Sequence, residues 1–203
     1  AFWERFLIPA FVHFFRLLYP FERVNKPSDR LAGGAGGCML VRRKNLQLAG
    51  GMESIRGAII DDCSLAARLK RTGPIRLELT KDSHSLRGYD GLDGILKMIR
   101  RTAYTQLKHS PALLAGCLAG MALVFLVPVL GTILLPSVWR LVPLAAWVLM
   151  SATYVPMLRF YGASLLQAPL LPVVALFYLK ATLDSARAHH AGRGAEWKGR
   201  VRG

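Results

Sequence analysis

The feature that most constrains this chain is the near absence of charge from residues 112–183, which contain Arg140, Arg159 and Lys180 and no acidic residue. About 20 consecutive apolar residues are enough for a helix to cross the hydrocarbon core of a bilayer. Apolar spans lie at about 112–135, 141–158 and 165–183. The first is long enough to cross with tilt, and the other two, which contain prolines, are near the lower limit. The sequence therefore predicts a transmembrane region of about three spans at residues 112–185.

The rest of the chain is polar and basic, and the 203 residues together have a formal net charge of +15. Basic residues beside apolar spans are typical of cytoplasmic flanks that meet anionic headgroups. A nucleic-acid partner is not expected, because no aromatic residues alternate with the basic ones as in a base-stacking surface. Residues 186–203 form a basic tail. The orientation stays open: three crossings from a cytoplasmic polar part put this tail outside, whereas its charge favours the inside.

Cysteine and histidine give no sign of a metal site. The cysteines, Cys38, Cys63 and Cys117, are scattered and lack the spacing of a disulfide framework or a zinc site, which fits a reducing compartment. The pair His189-His190 is interpreted as part of a solvated tail rather than as metal ligands.

Two amphipathic segments flank the polar part. Residues 1–24 are rich in Phe and Leu but interrupted by charges, which favours an interfacial helix with Phe11, Phe14, Phe15 and Leu18 in the acyl boundary. The alternative is a buried helix of the polar domain. Residues 91–111 predict a second interfacial helix, because apolar residues recur at helical spacing. That stripe consists of Leu92, Ile95, Leu96, Ile99 and Ala103.

Between these segments, two adjacent carboxylates open a predicted helix. Asp61 and Asp62 follow an apolar run, Leu65 and Leu69 then share one helical face, and Gly73 can close the helix. A carboxylate at a helix start is stabilised in its charged form by free N–H groups and the helix dipole. Such an acid has two interpretations: an N-cap or first-turn acid, which is the commoner role, or a proton-abstracting base.

The residues around this helix predict short elements. Residues 25–37 are turn-rich, Cys38–Val41 is interpreted as a short buried strand, and a helical turn over residues 45–49 ends at Gly50-Gly51. Ile75–Leu79 alternates apolar and charged residues, which predicts another strand.

Taken in order, these pieces resemble the C-terminal half of a family 2 glycosyltransferase. The carrying residues are Gly36-Gly37, Arg42-Arg43-Lys44, Leu46, Gly50-Gly51-Met52, and Asp61-Asp62 with Leu65 and Arg68. Over nearly the whole chain the closer similarity is to hopanoid-biosynthesis-associated glycosyltransferases. It is carried by Leu18-Tyr19-Pro20-Phe21, Arg56-Gly57-Ala58, the run 101–107, the run 158–162, and Glu196-Trp197-Lys198-Gly199-Arg200.

The resemblance implies a fold and a reaction. The fold is α/β, with residues 25–90 forming the acceptor-side half of a GT-A-type nucleotide-sugar transferase domain, followed by about three transmembrane helices. The reaction is an inverting transfer of a sugar from a nucleotide sugar, expected to be UDP-linked, to a lipid acceptor in hopanoid or related polyprenoid biosynthesis. The expected location is the inner (plasma) membrane, with the catalytic domain cytoplasmic.

The resemblance also assigns roles to residues. Asp62 is the catalytic base, and Asp61 with Gly36, Gly37 and Cys38 positions the acceptor or the loop. Arg100 and Arg101 occupy the place of a phosphate-binding motif, although Thr102 stands where the family usually has Trp. The alternative for these arginines is contact with lipid phosphates.

One part of the family's machinery is expected upstream of Ala1: the nucleotide-binding half, whose Asp-x-Asp motif holds Mg or Mn. No residues of this chain replace that motif, so the chain alone is expected neither to bind the metal nor to turn over. Two other classes stay open: a polytopic transporter or membrane subunit without chemistry, and a non-catalytic remnant that anchors partners. Against a transporter, the spans contain no acidic residue to line a substrate path.

Overall fold

The computed structural model describes residues 2–83, 85, 86 and 88–192, together with the backbone of Ala195–Trp197 and Arg200–Arg202. The chain divides into two compact units. We call them the membrane unit (Ala1–His13 and Tyr89–Gly203) and the central unit (Phe14–Gly88). The α-helices, in chain order, are α1 (Phe2–Leu18), α2 (Phe21–Asn25), α3 (Arg43–Leu48), α4 (Asp61–Lys70), α5 (Gly91–Gln106), α6 (Pro111–Met121), α7 (Val127–Leu134), α8 (Leu141–Phe160) and α9 (Leu171–His190).

Three continuous helical segments are long and apolar enough to cross a membrane, as the sequence predicts: Pro111–Leu134, Ser137–Phe160 and Leu165–His190. A turn of π-helix, Ala122–Leu126, joins α6 to α7 within the first segment. Short 3-10 helices, Ser137–Arg140 and Leu165–Leu170, lead into α8 and α9. The first two segments are mostly exposed within the chain, which suits apolar side chains that meet lipid.

Helix α9 has more buried residues than any other described helix of the membrane unit. The predicted helix at residues 91–111 is confirmed as α5, which packs against α9 through its apolar face, and Ile95 and Ile99 are buried there. The first part of α1 packs in the same unit, where the Tyr178 hydroxyl donates to the Leu7 carbonyl oxygen at 3.2 Å. The His13 ring lies 5.2 Å from that of Tyr154. That α1 and α5 lie at a membrane interface stays a prediction.

The central unit has a small apolar core. Ala49, Ile55, Leu65 and Leu69 are buried together, with partly buried Val41, Leu46, Ala58 and Ile75 around them. The predicted helical turn over residues 45–49 is α3, and the chain leaves it through Gly50 and Gly51 at φ values of +91° and +64°. Only glycine adopts this left-handed region readily, which explains the double glycine.

The prediction of strands in this unit is wrong for both segments. Cys38–Val41 contains no strand, and the Leu40 side chain is fully exposed rather than buried. Ile75–Leu79 is not a strand either. At Leu77 the Asn25 side chain takes the place of a partner strand: Asn25 Nδ2 donates to the Leu77 carbonyl oxygen at 3.1 Å, and the Leu77 N–H donates to Asn25 Oδ1 at 2.7 Å.

The described residues therefore do not show the α/β half-domain expected at residues 25–90. Their strands are β1 (Ala195–Trp197) and β2 (Arg200–Arg202), an antiparallel hairpin within the predicted basic tail that pairs Glu196 with Val201. Lys198 and Gly199 of the similarity motif lie outside the described residues.

Candidate functional site: the start of helix α4

The acidic pair forms the first turn of α4. Ile60 is the N-cap residue, so Asp61 and Asp62 are the first two helical residues rather than caps. The Asp62 N–H donates to Asp61 Oδ1 at 3.0 Å, and the Ser64 N–H donates to the Ile60 carbonyl oxygen at 3.1 Å. The predicted helix is thus confirmed, with its apolar face, Leu65 and Leu69, turned into the core. Both carboxylates lie where the helix dipole stabilises negative charge.

The Asp62 carboxylate connects α4 to a distant loop. Its Oδ2 accepts from the Gly36 N–H at 3.0 Å, and its Oδ1 accepts from the Cys63 N–H at 2.7 Å. One bond is therefore local, and the other comes from a residue 26 positions earlier in the chain. A carboxylate has about four acceptor positions, so these two bonds leave capacity for a further donor.

The glycine residues that the sequence singles out form the turn facing Asp62. The Cys38 N–H donates to the Ala35 carbonyl oxygen at 3.4 Å, which closes a turn with Gly36 and Gly37 at its centre. A Cβ at Gly36 would lie 3.4 Å from the Asp62 Cβ, whereas a Cβ at Gly37 would meet nothing within 4 Å. Cys38 is exposed, and its Sγ accepts from the Ser83 hydroxyl at 3.9 Å. The structure thus brings Asp62 and Gly36 together, with Gly37 and Cys38 in the same turn.

Sequence reasoning missed the two residues that set the distance between this loop and α4. A Cβ at Gly34 would lie 2.9 Å from the Asp62 carbonyl oxygen and 3.2 Å from the Ala66 Cβ, so only glycine fits without a shift. The Cys63 thiol donates to the Gly34 carbonyl oxygen at 3.6 Å. Burial raises the pKa of the Cys63 thiol, and the neighbouring Asp62 charge adds to that shift. The doublet Gly33-Gly34, just before Gly36-Gly37, was the available signal.

Lys70 holds the other end of the same loop. Its ammonium donates to the carbonyl oxygens of Val24 at 2.7 Å, Leu31 at 2.5 Å and Arg23 at 3.3 Å. The segment 31–36 therefore follows α4 along its length, from Lys70 in the last turn to Asp62 in the first. The position of the Asp62 carboxylate is fixed by this segment as well as by its own helix.

The predicted phosphate-binding pair lies in the membrane unit. Arg100 is exposed on α5, and Arg101 is partly buried. The pKa of Asp93, on the same helix, is lowered first by its bond with Lys97 and further by the charges of Arg100 and Lys180. This part of α5 is therefore a basic surface. The phosphate role of the two arginines stays a prediction.

The described residues do not fit a divalent metal. No group of three or more His, Cys, Asp or Glu side chains among them is arranged to hold an ion. Asp61 and Asp62 are adjacent, but one Asp62 oxygen faces Gly36 and the other faces the start of its own helix.

Comparison of the chain with protein-family models, curated proteins and solved structures finds no match.

Proposed function

We propose that this chain is the acceptor-side and membrane part of an inverting family 2 glycosyltransferase that transfers a sugar from a nucleotide sugar to a membrane lipid, in hopanoid or related polyprenoid biosynthesis. The observation that carries the proposal is the Asp62 carboxylate, which lies in the first turn of α4 and accepts a hydrogen bond from the glycine turn. The acid and the turn are the two pieces that the family resemblance assigns to the acceptor side.

In this proposal Asp62 is the general base. A lipid hydroxyl within about 2.6–3.2 Å of a carboxylate oxygen donates its proton to Asp62 as the hydroxyl oxygen attacks the anomeric carbon. The new bond joins that carbon to the lipid oxygen. The bond from the carbon to the nucleotide phosphate breaks, and the nucleotide leaves with the electron pair. Asp62 has free acceptor capacity for the hydroxyl, because the Gly36 and Cys63 amides use only part of it.

The other predicted residues have supporting roles. Gly36, Gly37 and Cys38 form the turn that holds Asp62, and the exposed Asp61 is available to the acceptor. Arg100 and Arg101 bind phosphate from the basic surface of α5. The family resemblance places the nucleotide-binding half, with its divalent metal and GT-A sheet, upstream of Ala1.

A lipid acceptor suits the rest of the chain. Three helices are long and apolar enough to cross a membrane, and a lipid acceptor partitions into the same bilayer. We propose the inner membrane, with the central unit on the cytoplasmic side, where nucleotide sugars are made.

The experiment that tests this function compares Asp62→Asn with Asp61→Asn in the full-length protein. Membranes receive a radiolabelled UDP-sugar panel, and labelled lipid is extracted and counted. Asn keeps an acceptor for the Gly36 N–H but is a poor base, so we expect Asp62→Asn to lower transfer by at least about 100-fold. Asp61→Asn serves as the matched control and is expected to lower it by much less.

The Gly36 bond also favours a second role for Asp62, which is to anchor the loop without chemistry. That role predicts that Asp62→Asn and Asp61→Asn leave labelled lipid equal to wild type. Transfer equal to that of the wild type, with normal membrane insertion, would contradict the role of Asp62 as the base. A wild-type protein that produces no labelled lipid above membranes lacking it would contradict the enzyme and favour a transporter or a membrane subunit.

A further inference from the structure

Three histidines meet at the point where α5 leads into the first membrane helix. The rings of His109 and His189 are stacked, with centroids 4.2 Å apart and planes 6° from parallel. Tyr104 lies edge-on to both, at 5.4 Å from each ring. His190 Nε2 lies 3.3 Å from the Tyr104 hydroxyl. Both histidines of the pair His189-His190 are exposed, as predicted, although they lie in the last turn of α9 rather than in a tail and their rings contact Tyr104.

The connection itself has an unfavourable backbone. Lys108 and His109 have φ values of +52° and +54°. Side-chain-bearing residues rarely adopt this left-handed region, and two in succession persist only where surrounding contacts hold them. The contacts here are the His109 N–H to the Tyr104 carbonyl oxygen at 3.0 Å, the His109 ring to Thr105 Oγ1 at 3.2 Å, and the stack on His189.

We propose that the stacked pair His109 and His189 is a proton-operated latch between α5 and the first membrane helix. While at most one ring is charged, the stack holds the left-handed connection. When both rings bind a proton, two positive charges are in contact, the stack separates, and the connection relaxes. The signal is proton concentration at the membrane surface, and the moving part is the segment 107–110.

The charged residues on the surrounding elements favour separation of the stacked rings when the pH falls. The elements that carry the pair and pack against it have the charged residues Asp93, Lys97, Arg100 and Arg101 on α5, Lys108 in the connection, and Lys180, Asp184 and Arg187 on α9. Asp184 already binds Lys180 at 2.5 Å and lies 3.6 Å from Arg187. Basic residues thus outnumber acidic ones, so little negative charge is available to stabilise the pair when both rings are protonated.

The lowered pKa of His109 also favours opening of the latch at low pH. Burial lowers it from its ordinary 6.5, and the charge of His189 lowers it further. A base whose pKa is lower in the latched state than in the open state favours the latched state at high pH. The latch is therefore closed above about pH 6.5 and loses stability as the pH falls below that value.

Amide hydrogen exchange of the full chain in phosphatidylcholine nanodiscs tests the latch. Exchange of peptides covering residues 104–112 is measured at pH 7.5 and 5.5 and corrected for the intrinsic pH dependence of exchange. We expect the opening equilibrium of the wild type to rise at the lower pH, by at most about tenfold. His109→Phe keeps a flat ring for the stack but cannot take a proton, so its corrected exchange should not change with pH.

His190→Gln is the matched control, because it removes a neighbouring histidine and leaves the stacked pair intact. It should retain the wild-type pH response. His189→Phe provides a second test should His109→Phe fail to fold. The latch is overturned if the wild type shows no pH response, if the Phe variants respond as the wild type does, or if His190→Gln alone abolishes the response. Transfer activity is not measured, so failure here leaves the proposed function untouched.

Discussion

Lys70 and Leu31 are joined by a hydrogen bond of 2.5 Å from the ammonium to the carbonyl oxygen, one helix length away from the bond between Gly36 and Asp62. The segment 31–36 is therefore fastened at both ends to α4. Because both hydrogen bonds are made by residues of the same helix, the glycine turn cannot shift relative to Asp62 without breaking one of them.

Gly34 should be the least replaceable glycine of this segment. In Gly34→Ala the new methyl group lies 2.9 Å from the Asp62 carbonyl oxygen, and backbone cannot move aside cheaply. We expect a loss of about 1–3 kcal/mol in the stability of the central unit. Gly37→Ala is the control, because its methyl group enters open space. Pulse proteolysis in urea measures both, and equal stability of the two variants would contradict the close contact.

Replacing Lys70 should loosen the start of the loop. Lys70→Met keeps most of the side-chain volume but leaves the Val24 and Leu31 carbonyl oxygens without their donor. A lost hydrogen bond to a charged group corresponds to about 1.5–3 kcal/mol. Arg71→Met, one residue later and exposed, provides the comparison. The same proteolysis assay should show a loss for Lys70→Met and almost none for Arg71→Met.

Asp29 should make the central unit sensitive to acid. Its bonds with Arg23 and with the Leu31 N–H lower its pKa from 3.8 to about 2. A carboxyl with a lowered folded-state pKa stabilises the fold above its unfolded value, and that contribution is lost as the pH falls through the folded value. The loss should occur between about pH 4 and pH 2.

Asp29→Asn tests this origin of the acid sensitivity. Urea unfolding at a series of pH values should show a shallower decline for the variant than for the wild type. Arg23→Met should flatten the curve in the same way, since it removes the guanidinium partner. If the stability of all three proteins fell in parallel with pH, other groups would be responsible for the acid sensitivity.

Gly131 should be required for packing of the first two membrane helices. A Cβ there would lie 2.9 Å from the Pro143 Cβ on α8. Gly131→Ala should therefore lower the thermal unfolding temperature in detergent, whereas Gly116→Ala should not, because a Cβ at Gly116 meets nothing within 4 Å. If Gly116→Ala were the more harmful change, that face of α6 would have to pack against a molecule outside this chain.

Local patterns predicted the helices well. The apolar spacing of Leu65 and Leu69, the stripe on α5 and the three uncharged spans each depend on neighbours within a few residues, so the sequence contains the whole signal. The prediction of two strands was wrong because a strand is stabilised by pairing with another segment, and the strand's own residue pattern does not identify that segment. At Leu77 that partner is the amide of Asn25, 52 residues earlier.

The candidate site was predictable only in part. Asp62 was singled out because two acids open a predicted helix, and residues 25–37 were predicted to be turn-rich. The grouping of Asp62 with Gly36 came from the family resemblance. The role of Lys70 could not be predicted from its own helix. Its three carbonyl partners belong to two other segments, and no periodicity relates them to α4.

The π-helical turn at Ala122–Leu126 has a consequence for the lipid-facing surface. A turn of this kind contains one residue more than an α-helical turn, which rotates everything after it by about 100°. The extra residue therefore determines that the side of α7 with Gly131 faces α8. Shortening this turn by one amino acid would therefore present a different stripe of the helix to α8, with the composition of the span almost unaltered.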